Sequence, residues 1–181
     1  IACVFSCQNI SKIEKEISQI DIDFNIERFD QMFASSTATD LPELQYNYPF
    51  LFSKRYSDSV WINRISDPIQ KLQNKAVDSV FEDFGSTESE IVNFYKHLKY
   101  YNKTLKTPRL ITVLSDVDYR NKVIVTDSIV LIALDTYLGE EHEFYTSFYD
   151  YIKQNLNKDQ IVPDLATAYA EQLIYQPKRA T

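Results

Sequence analysis

The chain has 181 residues, 44% of them hydrophobic, and its 19 basic and 26 acidic side chains give a formal net charge of −7. That hydrophobic content is enough for a core and excludes a disordered chain, and the length favours one domain. The acidic balance argues against a nucleic-acid partner, because phosphate contacts need a surplus of Lys and Arg. Two glycines leave almost nothing for a phosphate-binding loop, and no apolar run of about 18 residues predicts a membrane-spanning helix.

The first seven residues have the pattern of the end of a bacterial lipoprotein signal peptide. An apolar run leads to Cys7, with aliphatic Val4 three positions before it, small Ser6 directly before it, and polar sequence immediately afterwards. We therefore predict that Cys7 is acylated and becomes the first residue of the mature protein. One alternative is a buried N-terminal strand in which Cys3 and Cys7 are inert core thiols. A Cys3–Cys7 disulfide is a weaker alternative, because it would close only a very small loop.

Residues 8–19 are polar and of mixed charge. We interpret them as a solvated tether, with at most one or two helical turns, that leads from the membrane to a single globular domain over residues 20–181. The domain opens with apolar side chains that alternate with polar ones from Ile20 to Ile26. This period of two is typical of a half-buried strand, here over 22–28.

Capping residues and prolines predict three helix starts in the first half of the chain, at Asp40 before Pro42, at Ser57-Asp58 and at Ser66-Asp67-Pro68. The third start predicts a helix to about Phe84 that is terminated by Gly85, and a further helix begins at Ser86-Thr87-Glu88. Apolar residues three and four apart predict the buried face of the third helix. That face holds Ile69, Leu72, Ala76 and Val80, and we expect Lys71, Asn74 and Lys75 to be exposed.

The second half of the chain alternates between strand and helix patterns. Short β-rich runs predict strands over 109–114, 122–126 and 128–134, the last two joined as a hairpin. A helix rich in Tyr and Phe is expected around 142–155, and a last helix from Pro163. We therefore predict a mixed α/β (α+β) fold, in which a small sheet packs with several helices.

The sequence contains no complete catalytic or metal-binding motif. His142 and Glu143 begin like a zinc-peptidase helix, but Thr146 stands where the second histidine must be. Asp116 and Asp118 resemble the start of a calcium loop without its later ligands, so a charged turn is the better interpretation. No catalytic residue, cofactor or metal ligand is predicted.

Thirteen tyrosines contribute to an aromatic content of 14%. Six of them cluster on two predicted helices, and because tyrosine joins an apolar ring to a polar tip, we interpret these clusters as core edges. The alternative is a sugar- or protein-binding surface. The six residues are Tyr95, Tyr100, Tyr101, Tyr145, Tyr149 and Tyr151.

A series of segments in collinear order resembles the gliding-motility-associated lipoprotein GldB family of gliding Bacteroidetes. The segments are IERFD at 26–30, YPFLF at 48–52, PRLIT at 108–112, SDVDY at 115–119, LDTYLG at 134–139 and IVPD at 161–164. The resemblance implies that the chain is the N-terminal portion of a longer protein. It also implies a distant similarity to predicted zincin-like zinc-dependent peptidases, whose metal-binding helix would lie after Thr181, and hence an incomplete zincin-like domain.

The resemblance implies an envelope lipoprotein that is anchored through its lipid to a bacterial membrane and faces the periplasm. We expect it to act without enzymatic activity in a gliding motility or surface secretion apparatus, through contacts with the other proteins of that apparatus. Two alternatives stay open. One is the N-terminal half of an envelope zinc-dependent peptidase, and the other is a lipoprotein that binds peptides or glycans in an aromatic-lined pocket.

Overall fold

The structure, a computed structural model, describes residues 11–23 and 25–173. These residues form a mixed α/β fold with a four-stranded sheet, which confirms the predicted fold class. The strands are β1 (Ile26–Glu27), β2 (Arg109–Val113), β3 (Val123–Val125) and β4 (Ile129–Ala133). The helices are α1 (Lys12–Ser18), α2 (Phe29–Ser35), α3 (Leu41–Asn47), α4 (Asp58–Ser66), α5 (Pro68–Val80), α6 (Gly85–Tyr101), α7 (Asp150–Lys153) and α8 (Ile161–Leu173). Single 3₁₀ turns lie at Pro49–Leu51, Leu134–Thr136, Glu143–Tyr145 and Lys158–Gln160.

The strands of the sheet lie in the order β1-β2-β4-β3. β1, β2 and β4 are parallel, and β2 pairs with β4 along its whole length. The predicted hairpin is confirmed, because β3 pairs antiparallel with β4. Its turn contains no glycine and is closed by Thr126, whose backbone N–H donates to the carbonyl of Ile129 at 2.9 Å and whose hydroxyl accepts from the N–H of Ile129 at 3.0 Å.

Apolar side chains cover the sheet on both faces. Leu110, Val130 and Ile132 belong to the larger core, which includes residues of α5, α6 and α8. Ile111 points to the opposite face and packs with residues of α2 and α3. Strands buried on both faces contain continuous apolar runs, which is why β2 and β4 were predictable from the sequence.

The predicted strand over 22–28 is wrong for most of its length. Among the described residues of this segment, only Ile26 and Glu27 pair with β2, opposite Leu110 and Ile111. Residues 20–23 and 25 follow the expected alternation of half-buried and exposed side chains without joining the sheet. The period of two in this segment therefore indicates an extended chain that lies on the surface of the domain. Such a chain alternates without the hydrogen bonds of a β-sheet.

The predicted tether includes a docked helix. α1 begins at Lys12 with Ser11 as its cap, whose hydroxyl accepts from the N–H of Glu14 at 3.1 Å. Ile17 is 1% exposed, and α1 packs on α6, where the hydroxyl of Tyr100 donates to Glu16 at 2.9 Å. The first part of the tether, residues 8–10, and the acylation site Cys7 lie outside the described residues.

The predicted end of the third helix is wrong. α5 ends at Val80, and Gly85 begins α6 instead of terminating its predecessor. The change of direction buries Phe81, which is 2% exposed, in the larger core. The N–H of Gly85 donates to the carboxylate of Asp83 at 2.9 Å, and this local turn leads into α6.

The predicted buried face of α5 is also wrong at its N-terminal half. Ile69 and Leu72 are 66% and 51% exposed, and Asn74, which we expected to be exposed, is buried. Farther along the helix, Ala76 and Val80 are half-buried against the larger core. The side that faces the protein carries Gln70, Gln73, Asn74 and Val77, whereas Lys71 and Lys75 are exposed as predicted.

The predicted helix around 142–155 is wrong as well, because the segment forms a single 3₁₀ turn followed by the four-residue α7. The fully buried Tyr145 determines its course. The hydroxyl of Tyr145 donates to the carbonyl of Asp135 at 2.7 Å and accepts from the N–H of Leu138 at 3.0 Å. These contacts hold the segment against the chain that follows β4. They outweigh the local helix propensity, so a continuous helix does not form. The last helix, in contrast, is confirmed, with its start at Ile161 and Pro163 in its first turn.

An ion pair joins β1 to β2 and makes a pH-dependent contribution to stability. Arg109 donates from Nε and Nη2 to the two carboxylate oxygens of Glu27, each at 2.7 Å, and these bonds hold the pKa of Glu27 below its usual range. We expect Glu27→Gln to lower the free energy of unfolding at pH 7 by about 0.2–1 kcal/mol, as is usual for partly exposed pairs.

A lowered pKa in the folded state means that the stabilisation is present above the usual glutamate pKa of about 4.3 and is lost as the pH falls through the lowered pKa. Urea denaturation of the wild type and of Glu27→Gln should therefore give a difference at pH 7 that shrinks on acidification. Glu82 is exposed, so Glu82→Gln is the control and should change little at either pH. A Glu27→Gln difference that grew on acidification would contradict the assignment.

Candidate binding site

A pocket of about 280 Å³ lies between α2, α4 and α5, beside the carboxyl ends of β1 and β2. In sheets with parallel strands this edge is the usual place for ligand binding. Seven of the lining residues are apolar and four are polar, a composition typical of binding pockets. The lining is made by Phe29, Asp30, Phe33, Leu51, Phe52, Trp61, Arg64, Gln70, Asn74, Val113 and Leu114.

Aromatic rings form the wall of the pocket. The ring of Phe52 lies edge-on to Phe29, with centroids 6.0 Å apart, and edge-on to Trp61, with centroids 5.0 Å apart. Phe33 stacks on Phe29 at 5.7 Å. Edge-to-face and offset arrangements are those that aromatic side chains prefer, so the wall is well packed.

Asp30 follows β1 and is the most buried charged residue of the lining, with its side chain 1% exposed. Arg28 donates to its carboxylate from Nε at 3.0 Å and from Nη2 at 2.7 Å, and the hydroxyl of Thr112 on β2 donates to the same carboxylate. Arg28 therefore neutralises the negative charge of Asp30, and Thr112 bonds its carboxylate to the sheet.

A second polar network lies where α4 and α5 meet the turn after β2. Arg64 donates from Nη2 to one carboxylate oxygen of Asp116 at 2.7 Å, and the amide of Gln70 donates to the other at 2.7 Å. The same Gln70 amide donates to Gln73 at 2.7 Å, and Asn74 donates to the carbonyl of Gln70 at 2.9 Å. Because these amides are satisfied by hydrogen bonds, the inward side of α5 can be polar.

The turn that carries Asp116 has a strained backbone. Asp116 and the β-branched Val117 have φ angles of 58° and 60°, in the left-handed region that such residues rarely adopt. The buried Asp135 after β4 holds the turn, since its carboxylate accepts from the N–H of Ser115 at 3.0 Å and from that of Val117 at 2.7 Å. Burial raises the pKa of Asp135. Backbone strain of this kind is often found at functional sites. This turn is linked to the pocket through the bond from Arg64 to Asp116.

The structure separates the residues that suggested chemistry in the sequence. The predicted charged turn after β2 is confirmed. His142 caps the 3₁₀ turn that follows it, and its Nδ1 accepts from the N–H of Phe144 at 3.3 Å. In residues 11–23 and 25–173 no group of three or more His, Cys, Asp or Glu side chains is placed to hold a metal ion. These residues do not test the peptidase alternative, which stays a prediction.

The tyrosine clusters divide between core and surface. Tyr95 and Tyr145 are fully buried, which fits the core interpretation, and the hydroxyl of Tyr95 lies 2.9 Å from that of Tyr169. Tyr101, Tyr149 and Tyr151 are largely exposed, and the last two rings stack at 5.8 Å. The aromatic-lined pocket is built from Phe and Trp side chains and not from these tyrosines.

The pocket residues were missed at the sequence level, although one signal was present. An acidic residue follows each parallel strand: Asp30 after β1, Asp116 after β2 and Asp135 after β4. Recognising the three strands as parallel neighbours would have placed these carboxylates at one edge of the sheet. Nothing in the local sequence distinguishes Trp61 or Arg64 from ordinary residues of an exposed helix.

The fold and the pocket define a class of protein, an α/β domain with a mainly apolar pocket at the carboxyl edge of its parallel strands. The chain belongs to the GldB family: the family model described as gliding motility protein GldB matches residues 10–181. This confirms the resemblance drawn from the sequence and identifies a gliding motility-associated lipoprotein family. Comparison with curated proteins and with solved structures finds no match.

Membrane-spanning helices were searched for in the described ranges, 11–23 and 25–173. None of the helices there has both the length and the apolar character needed to cross a bilayer.

Proposed function

We propose that the protein is a lipid-anchored envelope lipoprotein that acts without enzymatic activity in a gliding motility or surface secretion apparatus, through contacts with other proteins of that apparatus. Membership of the GldB family over residues 10–181 is the observation that carries the proposal. The apolar pocket supports a role in binding.

The polar groups of the pocket support binding over catalysis. The carboxylate of Asp30 is held by Arg28 and Thr112, and that of Asp116 is held by Arg64 and Gln70. A general base or nucleophile must be able to reach a substrate proton or carbonyl, whereas these groups hold one another in fixed positions. Their arrangement stiffens the pocket walls, which favours recognition of a preformed shape.

Cys7 is the proposed point of anchoring. The Cα atoms of Cys7 and Lys12 are five residues apart and so at most about 18 Å from each other. Because α1 begins at Lys12 and packs on α6, an acylated Cys7 keeps the domain close to the bilayer surface. Two or more acyl chains make such an anchor stable, whereas a single chain gives only marginal binding.

Anchoring and function are tested together with the full-length precursor in cells that lack the protein. We expect the wild type to incorporate a radioactive fatty acid and to restore gliding, and Cys7→Ala to do neither, because the acylated thiol is absent. Cys3→Ala is the matched control, since this cysteine lies in the segment that is removed, and it should behave as the wild type. Equal labelling of the wild type and Cys7→Ala contradicts the anchor, and gliding without the protein contradicts the function.

A peptide-binding lipoprotein is a second candidate function that one observation favours. The sequence leaves open a lipoprotein that binds peptides or glycans in an aromatic-lined pocket, and four aromatic side chains line the pocket described above: Phe29, Phe33, Phe52 and Trp61. The two functions are compatible, because a protein that works through partners has to bind a segment of them.

A further inference from the structure

We propose that the pocket binds one large apolar side chain of a partner protein, presented on a peptide segment whose main-chain carbonyl oxygen accepts a hydrogen bond from the pocket wall. This inference rests on the proposed function, since a partner supplies the side chain. Three independent features of the pocket support it: its size, the balance of its charges and the unused N–H donors of Arg64.

The size of the pocket fits one bulky side chain. Its volume of about 280 Å³ lies just below the range of about 300–1,000 Å³ that holds drug-sized molecules. The walls offer the edges and faces of Phe29, Phe52 and Trp61, whose ring centroids are 5–6 Å apart. A further aromatic ring or a branched aliphatic group continues this packing.

The charges of the lining select a neutral occupant. Asp30 and Arg64 are the two charged residues that line the pocket, and their formal charges cancel. Each also has its own partner, Arg28 for Asp30 and Asp116 for Arg64. A carboxylate or phosphate that entered this apolar space would lose its hydration without meeting an unmatched cation, which is unfavourable.

The unused donors of Arg64 favour an occupant that carries an acceptor. Arg64 lies in the pocket wall with its side chain 33% exposed. A guanidinium has five N–H donors, and the bond from Arg64 to Asp116 uses one of them. An occupant with a carbonyl oxygen beside its apolar group can accept from one of the other donors, which a plain hydrocarbon chain cannot do. A peptide carries a neutral carbonyl next to every side chain.

Trp61 is the only tryptophan of the sequence, so its fluorescence reports on the pocket alone. The probe is acetyl-Gly-Phe-Gly-amide, titrated into the purified full-length mature protein in lipid nanodiscs. We expect a saturable shift of the Trp61 emission, with acetyl-Gly-Ala-Gly-amide at least about ten-fold weaker, because burial of a Phe side chain is worth one or more factors of ten. Palmitate serves as the competing occupant and should give no saturable shift.

Two variants locate the binding. Val113→Phe fills the pocket from the end of β2 and should weaken peptide binding at least about ten-fold, whereas Ile124→Phe, at an exposed position of β3, should bind as the wild type does. Arg64→Met keeps the aliphatic part of the side chain without the N–H donors, and calorimetry should show binding weakened about 2- to 10-fold, the usual value of one hydrogen bond. This second variant tests the proposal if Val113→Phe does not fold.

Four outcomes overturn the proposal: no saturable response to the Phe peptide, equal binding by a folded Val113→Phe, equal binding by Arg64→Met, or saturable binding of palmitate in place of the peptide. The titration uses purified protein and does not depend on gliding. If the peptide binds, but the protein takes up no fatty acid and cells glide without it, only the proposed function is contradicted. If the protein restores gliding but does not bind the peptide, only the proposed occupant of the pocket is contradicted.

Discussion

Replacement of Asp30 by alanine is expected to lower the free energy of unfolding by about 3–5 kcal/mol, the cost of breaking a buried ion pair by removing one partner. The side chain of Asp30 is 1% exposed and that of Arg28 is 18% exposed, so water does not replace the lost carboxylate effectively. The variant leaves the guanidinium of Arg28 without its close counter-charge. It also removes the closer acceptor of the Thr112 hydroxyl, on a central strand, and leaves the carbonyl of Glu27 at 3.4 Å.

The matched control is Asp78→Ala, which removes the other carboxylate near Arg28. Asp78 is 52% exposed and its carboxylate lies 3.8 Å from Arg28, so this variant should cost less than about 1 kcal/mol. Chemical denaturation of the two variants and of the wild type measures both values. Similar small losses from Asp30→Ala and Asp78→Ala would contradict the buried pair and its place in the pocket wall.

The sheet was largely predictable because two of its strands are buried on both faces. A run such as Leu110–Val113 or Ile129–Ala133 has few other ways to bury every side chain, so a short apolar run between polar turns indicates a strand. Residues 22–25 show the limit of the same reasoning, because an irregular segment that lies on the surface also alternates. Whether such a segment joins the sheet depends on a neighbouring strand far away in the sequence.

The polar face of α5 could not be predicted from spacing. A rule that assigns apolar residues to the interior places Ile69 and Leu72 inside and Gln70 and Asn74 outside, but the structure reverses all four. The reversal depends on Asp116, which lies 46 residues after Gln70 and accepts from its amide. A hydrogen bond to such a distant residue offsets the free-energy cost of removing the amide from water. The sequence around Gln70 gives no sign of that partner.

The candidate site could not be predicted from the sequence, for a related reason. Its wall combines α2, α4 and α5 with the end of β2, so residues such as Phe29 and Val113 become neighbours only through the order of the strands. Cys7 is the opposite case. Its prediction uses a local pattern that an enzyme reads in an extended precursor, so it needs no knowledge of the fold, and it lies outside the described residues.

The corrected face of α5 leads to a direct comparison of two leucines. Leu165 and Leu72 each occupy the fifth position of a 13-residue helix, α8 and α5, so Leu→Ala changes helix propensity equally in both. Their burial is opposite: Leu165 is fully buried in the larger core, and Leu72 is 51% exposed. We expect Leu165→Ala to lower the free energy of unfolding by about 2–5 kcal/mol. Leu72→Ala should change it by no more than about 0.5 kcal/mol.

Urea denaturation of the wild type and the two variants under one condition measures the difference. The lost apolar contact and the cavity left by Leu165 account for its larger cost, whereas Leu72 already contacts water and leaves no cavity. A loss of about 2 kcal/mol or more from Leu72→Ala would mean that its face of α5 is covered in solution and would restore the face that the spacing predicts. A small loss from Leu165→Ala would mean that α8 does not pack on the sheet, because Leu165 and Ile161 are its fully buried side chains among the described residues.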